Sequence, residues 1–401
     1  MTSALAHDRR PALKRAVHRR LLSEPVAAGS IDRAALRLRL EKLLRDEAPL
    51  IPDADAERVL DELVVEVDGL GPLEALLADP LVTEIMLNGP GRAYIERSGR
   101  LEPVALDLSA MEIVRLAERI IAPLGLRLDR SAPMADARLA DGSRLHAVLP
   151  PLAPDGPCLT IRRFATRRMN LSDFGAGGAA GEFLATCVRG GANILVAGAT
   201  SAGKTTLLNV LSGAIDGGER IVTIEETAEL RLAQPHVVRL EARPANGEGV
   251  GAVSVRQLVR AALRMRPDRV VVGEVRGAEA LDMLQALNTG HDGSMCTLHA
   301  NSAADALSRL ETLVLFADVG LPIAAVRSHI GSAIDLVVFV TRGADGSRHI
   351  DHIAEVGAPS GRGFAVHRVL TRHDGVLRAA EAPARALRRA GHNANEAWQQ
   401  C

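Results

Sequence analysis

Aromatic side chains are almost missing from this chain: one Trp, one Tyr and six Phe make up 2% of 401 residues. That scarcity argues against the base-stacking surfaces used by single-strand nucleic-acid binders. Lysine is nearly as rare. Lys14, Lys42 and Lys204 are the only lysines among 48 basic residues. With the abundance of Ala and Gly, this reads as a GC-rich bacterial coding bias, and it makes Lys204 conspicuous. The four cysteines (Cys158, Cys187, Cys296, Cys401) are scattered and form no C-x-x-C pair. A zinc ribbon or a disulfide framework is therefore unsupported, and reduced thiols in a cytosol are expected. No apolar run approaches the roughly 18–20 residues needed to span a bilayer. The N-terminus is charged from the start (His7, Asp8, Arg9, Arg10) and shows no signal-peptide core. A net charge of −1 supplies no global field toward nucleic acid or acidic lipid. The expectation is a cytoplasmic protein that binds no nucleic acid directly and meets a membrane only through a partner.

What is present is enough apolar residue, 47%, for sizeable cores, and enough length for two domains plus extensions. Residues 1–65 show helical spacing at Leu36, Leu40, Leu43 and Leu44, then at Val59, Leu60 and Leu63, with breaks at Pro49 and Pro52. They read as a helical extension. Residues 66–165 read as a small α+β domain with strands at Val82–Leu87, Ala93–Glu96 and Leu145–Leu149. Its one clear helix starts at a capping box, Ser109 with Glu112, followed by Met111, Val114 and Ile121. Residues 166–181, with four glycines around Arg167, Arg168, Asn170 and Ser172, read as a linker or hinge. From 182 to 345 near-continuous apolar strands alternate with helices. The strands are Asn193–Ala197, Arg220–Ile224, Val237–Leu240, Arg269–Val272, Met295–Leu298 and Asp335–Val340; the helices are Lys204–Ile215, Ser254–Arg266 and 277–289. This rhythm indicates an α/β domain whose parallel sheet is covered on both faces. Residues 346–401 are mixed in character, and the polar, Ala- and Arg-rich end reads as peripheral or frayed.

The strongest motif is Gly198-Ala199-Thr200-Ser201-Ala202-Gly203-Lys204-Thr205, which fits G-x-x-x-x-G-K-[ST] and runs on into Thr206. Its glycines let backbone N–H groups wrap a phosphate, the following helix adds its positive end, Lys204 reaches the β/γ-phosphates and the Thr205 hydroxyl takes Mg²⁺. An apolar strand precedes it and a helical pattern follows, which is the context the motif requires. No lysine follows Lys204, so the N-K-x-D loop of guanine-specific GTPases is absent and ATP is favoured. Hydrolysis needs a carboxylate near the γ-phosphate. Glu274, just past the strand Arg269–Val272, is the candidate water-orienting residue. The acid that ends this strand in many P-loop proteins is replaced by Gly273, so Glu225 and Glu226, after the strand Arg220–Ile224, are the candidate acids for the metal. His291 and His299 lie around the strand Met295–Leu298, and either could sense the phosphate or be structural. Metal ligation by the pair alone is not expected.

These stretches together resemble the secretion ATPases of the type II/IV secretion and pilus-assembly superfamily, and within it the tight-adherence (Flp) pilus assembly ATPases, the TadA/CpaF-like group. The resemblance covers about residues 65–345. It rests on Val82-Thr-Glu-Ile-Met-Leu-Asn-Gly89, Asp136-Ala-Arg-Leu-Ala-Asp-Gly-Ser-Arg144, the Gly198–Thr206 loop, Thr223-Ile-Glu-Glu-Thr-Ala-Glu-Leu230, and Arg266–Gly277 continuing to Thr297-Leu-His-Ala-Asn-Ser302. It implies a RecA-like ATPase domain, a homohexameric ring and an inner-membrane platform protein as partner. It also implies that Lys204 and Thr205 are Walker A residues, that Glu225 belongs to the acidic box, that Glu274 is the Walker B glutamate and that His299 ends the histidine box. Arg138 and Arg144 look like the first-domain arginines that reach the nucleotide, and Arg239 and Arg256 like ring arginines. A glycine at 273 is usual in this group. The acidic box departs from the usual Glu-Asp by reading Glu225-Glu226.

The function that the resemblance implies is an ATP-hydrolysing hexameric motor for pilus assembly or protein secretion. The alternatives are a conjugation or DNA-transfer ATPase of the same superfamily and an ATP-gated assembly factor with little turnover.

Overall fold

The computed structural model describes residues 13, 14, 16, 17, 20, 21, 33–68, 70–97, 99–139, 141–163, 169–243, 245, 250–343, 345–360, 363–390 and 392–401. The chain divides into two compact units, Met1–Thr166 and Arg167–Cys401.

In the first unit, helices Arg33–Glu47 and Asp53–Asp68 pair through the residues their spacing singles out. Leu36, Leu40, Leu43 and Leu44 bury against Val59, Leu60 and Leu63, and the break between the helices falls at Pro49–Pro52. Beyond the short helix Leu73–Ala78 comes an antiparallel sheet. Its strands are β1 (Val82–Asn88), β2 (Ala93–Arg97), β3 (Arg100–Val104), β4 (Met134–Arg138), β5 (Arg144–Val148) and β6 (Cys158–Arg162), in the order β3-β2-β1-β6-β5-β4. A bulge in β1 between Val82 and Glu84 lets Val82, Ile85 and Leu87 all face the core despite their uneven spacing. The Ser109–Glu112 capping box forms, with Ser109 N–H donating to Glu112 Oε2 at 2.8 Å. The helix it opens, Ala110–Ile121, buries Ile113, Leu116, Ala117, Ile120 and Ile121, while Met111 faces solvent.

The second unit is built on one sheet. Its strands are β7 (Ile194–Gly198), β8 (Ile221–Glu225), β9 (Val237–Glu241), β10 (Arg269–Val272), β11 (Met295–His299), β12 (Leu336–Arg342), β13 (Arg348–Ser360), β14 (Gly363–His373) and β15 (Val376–Ala379). The order is β15-β14-β13-β12-β7-β11-β10-β8-β9. Strands β12 through β9 of that order are mutually parallel. Their apolar runs are buried on both faces by two separate clusters, one around Val222, Val272 and Leu298, the other around Val196, Leu207 and Val338. Helices Lys204–Ser212, Val255–Ala262 and Glu279–Leu287 lie where the alternating pattern puts them. The second of these stops at Ala262 rather than Arg266, because Arg266 takes a left-handed φ of 54° before Pro267, a position where helical backbone clashes with the proline ring. Helices Ala303–Leu315 and Ile323–Ala333 add to the first cluster.

Two expectations change. The Gly-rich stretch 166–181 is not loose chain over its described part. Asn170 caps a short 3-10 turn, Leu171–Phe174, whose Phe174 is fully buried, and helix Gly178–Arg189 starts inside the stretch. Thr166, Arg167 and Arg168 lie outside the described residues. The end of the chain is also not peripheral. β13 hydrogen-bonds along all of β12, and Ile350, Ile353, Val369, Leu370 and Leu377 join the core. Helices Arg385–Ala390 and His392–Gln399 pack on the unit through Ala386, Ala394 and Ala397, and Trp398 Nε1–H donates to the Val369 carbonyl at 2.9 Å. Its composition looks polar because β14 exposes His367, Arg368 and His373 beside the buried Val369 and Leu370, and because its helices use alanine as the core residue. Among the described residues no helix is long and apolar enough to cross a membrane.

Candidate active site

The parallel strands deliver the candidate residues to one end of the sheet, the end where open α/β sheets bind ligands. In the register of β7 and β11, Gly198 lies opposite His299, so the loop and the histidine begin side by side. Glu225 is the last residue of β8, and Glu274 follows β10 by two.

The loop has the backbone of an anion cradle. Ser201 and Gly203 have φ of 58° and 98°, the left-handed values from which successive N–H groups converge. Gly203 also leaves no room for a side chain, since a Cβ there would lie 2.8 Å from Arg348 Cδ. At Gly198 a Cβ would collide with the Val340 carbonyl oxygen, so the first glycine of the motif is demanded by the close passage of β12. Ala199, Thr200 and Ala202 complete the turn, and Lys204, Thr205 and Thr206 open the following helix. The buried Lys204 ammonium donates to the Ala199 carbonyl at 2.9 Å and to His299 Nδ1 at 3.0 Å. Thr200 Oγ1 lies 3.5 Å from the same nitrogen.

An ammonium only donates, so Nδ1 of His299 is the acceptor and the ring proton sits on Nε2. That N–H points at Glu274 Oε1, 2.9 Å away. Burial, then the neighbouring Lys204 charge, push the His299 pKa down, so the ring is neutral near pH 7. The other Glu274 oxygen, Oε2, accepts from Arg276 Nη2 at 2.8 Å, and Arg276 Nη1 donates to Glu226 Oε2 at 2.6 Å. Lysine, histidine and glutamate thus form one relay from the phosphate loop to the candidate base, and Arg276 extends it to Glu226.

Glu225 sits apart from this relay. Its buried carboxylate accepts from the Glu229 N–H at 2.8 Å and the Leu230 N–H at 3.0 Å, and burial pushes its pKa up to about 7 against the opposing pull of those bonds. It also explains Gly273, where a Cβ would lie 2.7 Å from Glu225 Cγ. Where many P-loop proteins carry an acid at this strand end, this chain has Gly273, and Glu225 at the end of the neighbouring strand fills the space beside it.

The remaining candidates lie elsewhere. Arg239, on β9, has its guanidinium 3.4 Å from the Ala228 carbonyl and near enough to Glu225 to favour its charge. Arg256 binds Asp282 at 2.7 Å, a buried carboxylate that Arg260 also binds at 2.6 Å, so within this chain Arg256 ties two helices together. His291 Nδ1 meets the Ala286 carbonyl at 3.1 Å, a brace at the end of a helix. Arg138 and Arg144 belong to the first unit, paired in register across β4 and β5, with Arg162 of β6 next in the row. Arg276 was not singled out in the sequence. Its signals are its place within the Arg266–Gly277 stretch and a position two residues after Glu274, where an extended chain puts side chains on the same side.

For a nucleotide the fit is good: the cradle, the helix N-terminus and Lys204 supply the donors a triphosphate needs. For Mg²⁺ the protein gives less. Among the described residues no group of three or more His, Cys, Asp or Glu could hold a metal ion, so the Thr205 hydroxyl and the nucleotide's own phosphates would have to dominate its shell.

The profile of the family described as Type II/IV secretion system protein matches residues 66–368. A putative conjugal transfer protein of Mycobacterium tuberculosis is 40% identical over 328 residues, covering 79% of this chain and 93% of its own length. The type IV secretion system protein PtlH of Bordetella pertussis is 40% identical over 301 residues, covering 66% of this chain and 86% of its own. Among solved structures, the ATPase DotB of Legionella pneumophila aligns with a TM-score of 0.50 at 22% identity, over 70% of this chain and 78% of its own; this likeness is one of fold. The profile spans both units and takes in the phosphate loop, the relay and the acids, so the chain belongs to the type II/IV secretion system family as one of its P-loop ATPases.

Proposed function

We propose that this ATPase is a hexameric motor that powers pilus assembly of the tight-adherence type, or protein secretion, by acting on an inner-membrane platform protein from the cytoplasmic side. The observation that carries the reading is the relay from Lys204 through His299 to Glu274, which couples the residue that binds phosphate to the residue that handles water.

In the proposed mechanism the loop amides of Gly198–Thr206 and Lys204 hold the triphosphate of ATP. Glu274 orients the attacking water and takes its proton, while the neutral His299 holds Oε1 by its Nε2–H. Mg²⁺, when bound, neutralises phosphate charge; Thr205 would hold it directly, with Glu225 and Glu226 reaching it through water. Arg138, Arg144, Arg239 and Arg256 are proposed to neutralise developing charge, some of them between copies of the chain. The test is phosphate release by wild type, Lys204→Ala and Glu274→Gln, with nucleotide binding followed in parallel. Wild-type rates in both variants would sink the hydrolytic reading. Continued pilus assembly in cells carrying Glu274→Gln would favour an ATP-gated factor with little turnover.

A second reading, transfer of DNA, draws on relatives described as conjugal transfer proteins in Mycobacterium tuberculosis and Rhizobium radiobacter. Neighbouring genes separate the two: prepilins and two membrane platform genes point to a pilus, relaxase and coupling-protein genes to DNA transfer.

A further inference from the structure

We propose that Arg276 is a positioning residue for Glu274, and that Glu226 acts on the reaction through Arg276; this rests on the ATPase reading above. Three observations converge. Arg276 bridges two carboxylates from different strand ends, donating through Nη2 to Glu274 Oε2 at 2.8 Å and through Nη1 to Glu226 Oε2 at 2.6 Å. The turn that carries Arg276 is itself fixed: Glu279 Oε1 accepts from the Arg276 N–H at 2.6 Å and from the Gly277 N–H at 2.7 Å. Glu274 is meanwhile held on its other oxygen by His299. A carboxylate gripped at both oxygens has one orientation, and each oxygen keeps a second lone pair for a water proton.

Stability does not account for this arrangement. The Arg276 and Glu226 side chains are 57% and 59% exposed, and exposed ion pairs add little to folding. What the planar guanidinium does provide is a fixed fork that sets where the Glu274 carboxylate points. The pairing also gives a use to Glu226, where the acidic box usually has an aspartate: the side chain, one methylene longer, reaches Arg276.

The experiment is steady-state ATP hydrolysis by the full chain, comparing wild type, Arg276→Gln, Arg276→Lys, Glu226→Gln and the Arg276→Gln/Glu226→Gln double variant. Binding of a fluorescent ATP analogue and thermal melting are measured on each. Arg276→Gln is expected to lower kcat by about 10- to 100-fold, the scale of a misplaced catalytic group, with KM and analogue binding within about twofold of wild type. Arg276→Lys recovers part of the loss. Glu226→Gln gives a smaller loss, and in the double variant the combined loss is well below the product of the two single losses. The proposal is overturned by an unchanged kcat in Arg276→Gln, by a loss confined to KM, or by fully additive losses in the double variant. Should Arg276→Gln melt well below wild type, Glu226→Gln decides, because it loosens Arg276 without removing it; an unchanged kcat there is also fatal. The ATPase reading is tested separately by wild-type turnover against Lys204→Ala, whatever the ratios among these variants.

Discussion

Glu225 and Gly273 share one volume: the glutamate side chain occupies the space that any Cβ at 273 would take, 2.7 Å from Glu225 Cγ and 3.1 Å from its Oε1. Adjacent parallel strands, paired up to Ile224 and Val272, bring the two positions level, and the Gly273 N–H donates to the Ile224 carbonyl at 2.9 Å. An acid at the end of one strand therefore excludes an acid at the end of the next. Gly273→Ala should lower stability by about 1–3 kcal/mol, the usual effect of overpacking, and Gly273→Asp should do more by adding a charge beside Glu225. Both should slow hydrolysis, since Glu274 is the next residue. Urea unfolding and phosphate release check this, and wild-type behaviour in Gly273→Asp would show that Glu225 moves aside freely.

Glu225 also predicts a pH dependence. Its folded pKa of about 7 lies above the ordinary 4.5, and burial is the first cause. The folded state then holds a proton that the unfolded chain has released, so its stability contribution is complete below about pH 4.5 and disappears as pH rises through about 7. The shift corresponds to about 3 kcal/mol. Glu225→Gln, which cannot ionise, should flatten this fall, gaining on wild type between pH 5 and pH 8 in unfolding experiments without Mg²⁺ or nucleotide. Parallel curves for the two proteins would show that Glu225 ionises normally.

The parallel sheet was legible because its strands are short apolar runs set between helical patterns; Lys204 was legible from the G-x-x-x-x-G-K-[ST] loop, and Glu274 and His299 because they lie at or just past strand ends. The partners of the acids were not. Whether Glu225 faces a metal or the amides of Glu229 and Leu230 depends on a loop that no periodicity encodes. Arg276 hid among many arginines, most of them ordinary surface charges. The stretch 166–181 misled because glycine content signals flexibility only when nothing nearby is anchored, and here Phe174 is buried. The C-terminal strands and helices misled because polar residues such as His367, Arg368 and His373 flank the buried Val369 and Leu370, and because the helices pack through alanine.

His299 should prove to be a hinge between binding and chemistry, since its two nitrogens serve Lys204 and Glu274. Its replacement by Ala removes both contacts and should lower kcat by about 10- to 100-fold. Asn can restore one contact but not span both, so His299→Asn should recover little. ATP-analogue binding should change far less than turnover. Equal losses in binding and turnover would mean that the histidine serves only the phosphate loop.

The C-terminal helix Arg385–Ala390 is held by Asp335, a fully buried acid just before β12. Asp335 Oδ1 meets Arg385 Nε at 2.5 Å, and Oδ2 meets Arg389 Nε at 2.7 Å while accepting from the Asn193 N–H at 2.8 Å. Glu355, also buried, accepts from the Ala384 N–H, just before the helix, at 3.0 Å and from the Ala386 N–H within it at 2.6 Å. Asn193 and Asp335 flank β7 and β12, the strands that support the phosphate loop, so the last helices brace the site from beneath. Asp335→Ala leaves two arginines without their shared partner and should cost about 3–5 kcal/mol, as breaking a buried ion pair does. Asp335→Asn keeps the Asn193 contact and should cost less. Removal of residues 384–401 should destabilise comparably, because it strands Asp335 and Glu355 together. Chemical unfolding of the three variants measures this directly; a truncated chain as stable as wild type would show that the terminal helices only rest on the unit and do not hold it.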